Sequence, residues 1–321
     1  MYPLKFKPIY KERLWGGTKL KDLLGKEAKG DAIGESWELS AVDGDISEVV
    51  NGALKGTTLT QLIKTHQEKL LGDAVYNRFG NDFPVLIKFI DAKKDLSIQL
   101  HPNDELAKKR HNSFGKTEMW YIMQADENAE LIVGFNKNVS RTEYVEHMNN
   151  NALEKILNYE KVKEGDTFFI NTGKVHAIGG GIVLAEIQQT SDITYRVYDW
   201  NRKDKDGNTR ELHTELALEA IDYEKKDDFK VNYQQEKNKV NTMVDCPYFT
   251  TNYLNIEKSQ TFNIEKRDSF SIYLCVDGVA EIANEHGVEK IKRGETILIS
   301  AVTKEVKINA FSQAKLLEVY I

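Results

Sequence analysis

Four side chains in this sequence have the types and spacing of a metal site. Gln99 and His101 stand two apart in Gln99-Leu-His101-Pro, Glu118 opens an aromatic stretch after Gly115-Lys116-Thr, and His176 ends Gly173-Lys-Val-His176. On a strand, residues two apart project from one face, so Gln99 and His101 can chelate together while Leu100 points away. Pro102 then ends regular pairing, as at the mouth of a barrel. Two imidazoles, a carboxylate and a neutral amide oxygen suit a borderline divalent ion such as zinc, and a mixed set of this kind leaves room for water or substrate. That marks a reactive ion, not a structural one. Alone, Gln-x-His reads as a polar strand end; the company of Glu118 and His176 gives it chemistry.

Such ligands need strands to carry them, and the chain supplies short apolar or alternating runs between turn residues. They are Pro84–Ile90, Leu96–His101, Met119–Met123, Glu130–Phe135, Thr167–Ile170, Gly181–Ile187 and Thr194–Tyr198. Helical periodicity is confined to Leu59–Leu71, Arg141–Leu157 and Glu211–Ile221, too little for a βαβ series. The expected fold is mainly β. Strands return at Ser271–Val276, Val279–Ile282, Thr296–Ile299 and Leu316–Tyr320, beyond a polar run from Tyr223 to Lys239 that reads as a linker or solvated surface. Gly165-Asp, its apolar strand and His176 eleven residues on echo Gly294-Glu, Thr296–Ile299 and Glu305 at the same offset. Two related barrels, the second without a metal, explain the echo.

Composition narrows the partners. With 321 residues, 40% hydrophobic, 29% charged and a formal charge of -6, the chain is an ordinary globular protein without the basic face that nucleic acid requires. No apolar run approaches the roughly 18 residues of a membrane helix, and the first residues lack a secretory signal, so no membrane partner and a cytoplasmic location are expected. Cys246 and Cys275 are expected to be free. Trp15 and Trp37 read as packing residues in the core or at a rim.

Gly165, Asn171 in place of the usual proline, Gly173 and His176 match the second motif of the cupin superfamily, with Gly180 where an asparagine is usual. Together, Arg13-Leu-Trp15-Gly-Gly, Glu35-Ser-Trp37-Glu38, Pro84-Val-Leu-Ile-Lys88, Ser97-Ile-Gln99-Leu-His101-Pro, Lys116-Thr-Glu118, Val175-His176 and Glu186-Ile-Gln…Ser191-Asp192-Ile-Thr-Tyr-Arg196 resemble the class I mannose-6-phosphate isomerases in their bacterial short form. The resemblance implies double-cupin, jelly-roll-like barrels: residues 1–235 a catalytic cupin domain with helical insertions, residues 236–321 a metal-free cupin-like β domain. It implies one zinc per chain on Gln99, His101, Glu118 and His176, and a small sugar phosphate as partner of a monomer or weak homodimer. The implied reaction moves a proton between C1 and C2 of mannose 6-phosphate and fructose 6-phosphate through an enediol. Arg196, Lys116, Glu186 and Asp192 are its implied catalytic residues, with the base ordered Glu186, then Lys116, then a water on the ion. Ser97, Lys88 and Arg202 are its implied phosphate residues; without the resemblance Lys88 reads as a strand lysine reaching solvent and Arg202 as a loop charge. Two other readings stay open: a related isomerase for another hexose, and a sugar-phosphate sensor whose metal site is a relic.

Overall fold

The computed structural model describes residues 1–204 and 206–321. Its first barrel is made by two antiparallel sheets. One has the strand order Thr167–Ile170, Glu118–Ala125, Ile182–Gln189, Val85–Ala92, Ile33–Leu39, Ile9–Gly17; the other runs Leu157–Lys161, Glu130–Phe135, His176–Ile178, Ile98–Leu100, Tyr195–Tyr198. Side-chain alternation sorts the first of these sheets by face. Val85, Ile87, Phe89, Met119, Tyr121, Met123, Val183, Ala185 and Ile187 join an outer core that reaches the second barrel. Ile90, Trp120, Ile122, Ile182 and Leu184 turn inward, against Leu131, Val133 and Ile178 of the facing sheet. The inward set also contains Lys88, Glu118 and Glu186, which is how a sheet buried on both faces comes to carry charges.

Helices cover the outside. Leu59–His66 starts with a Thr58/Gln61 capping box and buries Leu59, Leu62 and Ile63. The expected run to Leu71 is broken at Gln67, which takes φ 46°, and continues as Glu68–Leu71 and Asp73–Phe79. Arg141–Asn149, capped by Ser140, and Thr214–Ala220 pack on the outer face of the five-stranded sheet, where Tyr144, Ala217 and Leu218 join its cluster. After Asn149 the expected helix stops and only a 3-10 turn, Leu153–Ile156, follows. The helix Asp104–His111 was not expected: it buries only Ala107, so it shows no apolar period, and its signals are the Asn103 cap and acidic-to-basic charge order.

The second barrel is an eight-stranded sheet around Leu254, Tyr273, Cys275, Ile297 and Leu316. Its first strand is Leu4–Lys5, paired with Thr296–Ile299, so the start of the chain is stitched into the far domain. Gly165 and Gly294 both take positive φ (87° and 83°) two residues before a strand, and each donates its N–H to the strand alongside, at Ile122 and Cys275. The two turns of the sequence echo are therefore built alike, whereas Glu305, at the offset of His176, is exposed. Cys246 and Cys275 are free thiols. Among the described residues no helix is long and apolar enough to cross a membrane.

Between the barrels, Lys26 Nζ lies 2.6 Å from Glu38 Oε1, with side chains only 6% and 3% exposed. Burial raises the Glu38 pKa, against the pull of Lys26 and Ser36. The folded chain thus holds this proton more tightly than the unfolded one, and the contribution of Glu38 to stability weakens as pH rises between the two pKa values. Lys26→Met leaves the carboxylate buried with only the Ser36 hydroxyl beside it, and is expected to cost about 3 kcal/mol in urea unfolding at pH 8 and less at lower pH, where protonation removes the unpaired charge. A loss below 1 kcal/mol at pH 8 would show that the pair does not hold the interface.

Candidate metal centre and active-site cleft

Two rows of residues, one on each sheet, face a single cavity of about 600 Å³. On the five-stranded sheet His176 stands directly opposite Gln99, and Gln99 opposite Arg196. On the six-stranded sheet Trp120, Glu186, Lys88 and Trp37 lie side by side across four strands. Glu118 begins its strand one inward position before Trp120, and His101 follows the end of Ile98–Leu100. The strand expected over Leu96–His101 is confined to Ile98–Leu100, and its end one residue before His101 is what Pro102 dictates. Gly173 ties the ligand segments together: its N–H donates to the His101 carbonyl at 2.8 Å. It takes φ 80°, and a Cβ there would sit 2.6 Å from the Ala220 carbonyl oxygen, so only glycine fits.

The three ionisable ligands converge. Ligand atoms of His101, Glu118 and His176 all lie within 4.8 Å of one another, and all three side chains are buried. His176 Nε2 is 3.4 Å from Glu118 Oε1, and His101 Nε2 is 3.7 Å from Oε2. Each imidazole has its Nδ1 2.8 Å from a backbone carbonyl, Ile193 for His101 and Lys174 for His176. A carbonyl only accepts, so Nδ1 carries the proton and the Nε2 lone pair is left for a metal. Burial lowers both imidazole pKa values, that of His176 to about 4, which keeps them neutral and able to ligate near pH 7. Glu118 Oε1 and His176 Nε2 are buried without a hydrogen-bond partner among the described residues, and Glu118 Oε2 has only the Lys116 ammonium beside it. Orphaned acceptors this close together are costly unless a cation joins them. The donor set fits a divalent ion.

Gln99 is held from the side: Ser97 Oγ donates to its Oε1 at 3.1 Å, and Arg196 Nε donates to Ser97 Oγ at 3.2 Å. Glu186 lies on the opposite wall, with Lys88 Nζ 2.9 Å from Oε1 and Trp120 Nε1 donating to Oε2 at 2.9 Å. Burial alone raises a carboxyl pKa, but Lys88 and Lys116 bring that of Glu186 down, to about 2. Glu118 moves the other way, to about 7, through burial and the neighbouring Glu186 charge. Two close carboxylates in one cleft are thus driven apart, one ionised throughout and the other in need of a cation. Lys116 Nζ stands 3.0 Å from Glu118 Oε2 and 3.2 Å from His101 Nε2.

Of the residues singled out in the sequence, Gln99, His176, Lys116, Glu186, Lys88, Ser97, Asp192 and Arg196 line the cleft, and His101 and Glu118 sit at its floor. Trp15 and Trp37 are buried and also line it, so they are packing residues that form the wall. Arg202 is not among the lining residues. Its guanidinium is committed to Asp199, with Nε 3.2 Å from Oδ1, and to the Asp95 carbonyl. Among the lining residues that escaped the sequence reading as site residues are Glu35 and Arg210. Glu35 accepts from Arg13 at 2.8 Å and from the Trp37 indole at 3.0 Å, forming a rim. Arg210 comes from an irregular polar loop that offered no periodicity to place it.

Comparison with known proteins agrees with this geometry. The family model described as phosphomannose isomerase type I, catalytic domain, matches residues 3–137, and the mannose-6-phosphate isomerase cupin domain matches residues 239–321. The chain is 37% identical over 314 residues to mannose-6-phosphate isomerase ManA of Bacillus subtilis strain 168, covering 97% of each. It is 39% identical over 273 residues to the probable mannose-6-phosphate isomerase GmuF of the same organism, covering 85% of this chain and 83% of the relative. The crystal structure of the Bacillus subtilis mannose 6-phosphate isomerase superposes with a TM-score of 0.90 at 33% identity over the whole of both chains. The chain therefore belongs to the type I phosphomannose isomerase family.

Proposed function

We propose that the chain interconverts mannose 6-phosphate and fructose 6-phosphate by moving a proton between C1 and C2 through an enediol. The observation that carries this is the meeting of buried ligand atoms of His101, Glu118 and His176 with an ionised Glu186 and the guanidinium of Arg196 around one cleft. Gln99, His101, Glu118 and His176 would hold one zinc ion. When bound, such an ion acts as a Lewis acid toward sugar oxygens, stabilising negative charge that develops as the proton leaves carbon.

The remaining roles belong to side chains. Glu186 is the leading base: it is charged at neutral pH and lines the cleft, and Lys88 and Trp120 hold both its oxygens in place. Lys116, buried beside Glu118, is the second proton-handling group. Asp192, at the mouth, orients sugar hydroxyls. Arg196 presents a fork that is always charged to the enediolate oxygens, and its bond to Ser97 keeps it in place. Ser97 is a phosphate candidate only if its hydroxyl turns from Gln99 when substrate binds, and Lys88 adds positive potential from the opposite wall.

The test is a set of coupled assays with zinc-loaded protein on mannose 6-phosphate, free mannose and glucose 6-phosphate. Mannose 6-phosphate is expected to be preferred over free mannose by roughly 10²-fold or more in kcat/KM, since several charge-assisted hydrogen bonds recognise the phosphate. Faster conversion of free mannose would remove the phosphate reading, and binding without turnover of any sugar would favour a sensor.

A further inference from the structure

Arg196 sits on the open edge of its sheet. Its strand, Tyr195–Tyr198, pairs on one side with Ile98–Leu100 and, among the described residues, with no strand on the other. Such an edge leaves main-chain N–H and C=O groups that something else must satisfy. At Arg196 a single residue does both. The His213 N–H donates to the Arg196 carbonyl at 2.7 Å, and the Arg196 N–H donates to His213 Nδ1 at 3.2 Å. From the same segment the Glu211 carbonyl accepts Arg196 Nη1 at 3.0 Å. Glu211-Leu212-His213 therefore grips the arginine by its main chain and by its guanidinium together.

The imidazole of His213 is given over to this contact. It stands at the N-cap of Thr214–Ala220, where a polar side chain ordinarily accepts from the first turn, yet it makes no such bond. A main-chain N–H only donates, so Nδ1 is the bare nitrogen and the ring proton is on Nε2. Burial lowers the His213 pKa first, the Arg196 charge adds to this, Glu211 opposes it and His111 lowers it further. The ring is thus neutral near pH 7, with its lone pair available. The buried Tyr195 ring packs beside it, 6.4 Å between centroids. His213 is not among the residues lining the cleft, whereas Arg196 is. With Nε on Ser97 and Nη1 on the Glu211 carbonyl, the Arg196 fork keeps Nη2 without a partner among the described residues.

We infer that His213 is the positioning residue of Arg196: by finishing the sheet edge with one imidazole nitrogen and one N–H, it fixes the backbone from which the guanidinium reaches the cleft. This rests on the reading of Arg196 as the cation that stabilises the enediolate, and it adds a residue that works from outside the cleft. Without the imidazole the Arg196 N–H has lost its acceptor, and the edge strand is free to shift. A misplacement of about 1 Å is enough to cost roughly 10²-fold in rate.

The experiment is a double-mutant cycle on the zinc-loaded protein, with His213→Leu, Arg196→Ala and the two combined, and His213→Asn alongside. His213→Leu is expected to lower kcat for mannose 6-phosphate roughly 10-fold or more with KM within a few-fold, because a misplaced group of the transition state costs rate before affinity. Zinc content and the far-UV circular dichroism should match the wild type. His213→Asn puts Oδ1 two bonds from Cβ, as Nδ1 is, and is expected to recover most of kcat. On the Arg196→Ala background the same His213→Leu change should cost less than about 2-fold, since a residue acting only through the arginine has nothing left to position. An equal loss on both backgrounds, a rise in KM with kcat unchanged, or an Asn variant no better than Leu would overturn the assignment. Loss of zinc or of the β-sheet signal in His213→Leu would make the residue structural and overturn it too. Full turnover in Arg196→Ala removes the role of the arginine itself. A slow Arg196→Ala beside a fully active His213→Leu keeps that role and removes only the positioning.

Discussion

His176→Ala is expected to release the ion and lower turnover by roughly 10³-fold or more, because several kcal/mol of charge stabilisation depend on a Lewis acid at that place. The fold should survive. His176 is one residue of a short strand, and its Nε2 is a buried acceptor without a partner, so truncation removes a cost as well as a ligand. Elemental analysis after dialysis should show less than a tenth of the wild-type metal content, with the β-sheet signal in far-UV circular dichroism unchanged. Retained metal with full turnover would remove His176 from the ligand set; a collapsed spectrum would mean that His176 is structural, and His101→Ala then repeats the test from the other sheet edge.

Arg196→Ala should separate binding from chemistry. A guanidinium used mainly on the developing enediolate is worth roughly 10² or more in kcat while the substrate affinity changes less than tenfold. Unchanged turnover in Arg196→Ala would take away its role. Arg196→Lys should recover little, since an ammonium lacks the planar fork that Ser97 and the Glu211 carbonyl hold in place.

What the sequence made legible is what obeys a local rule. Glu130–Phe135, Thr167–Ile170 and Thr296–Ile299 have the bounds their alternation and turn residues indicate. The ligand types picked out the candidate metal centre, where His101, Glu118 and His176 converge, because imidazole and carboxylate carry their chemistry wherever the chain bends. Other features depend on tertiary context. Val276-Asp-Gly278-Val looks like a turn between two strands, yet Ser271–Asn284 is a single strand in which Gly278, at φ 79°, forms a bulge against the Gln313 carbonyl. Leu4–Lys5 pairs with a strand nearly three hundred residues away, which no window can show. Asp104–His111 is almost wholly polar. Arg202 and Arg210 sit in one irregular loop, and only the direction set by Asp199 shows which of them reaches the cleft.

The ion and the substrate are best located together, by anomalous diffraction at the zinc edge from a crystal soaked with fructose 6-phosphate. One anomalous peak is expected within bonding distance, about 2.0 to 2.2 Å, of Nε2 of His101, Nε2 of His176 and a Glu118 oxygen, with C1 and C2 beside it and the phosphate away from the two histidines. A peak elsewhere, or a sugar seated with its phosphate toward the two histidines, would contradict the account.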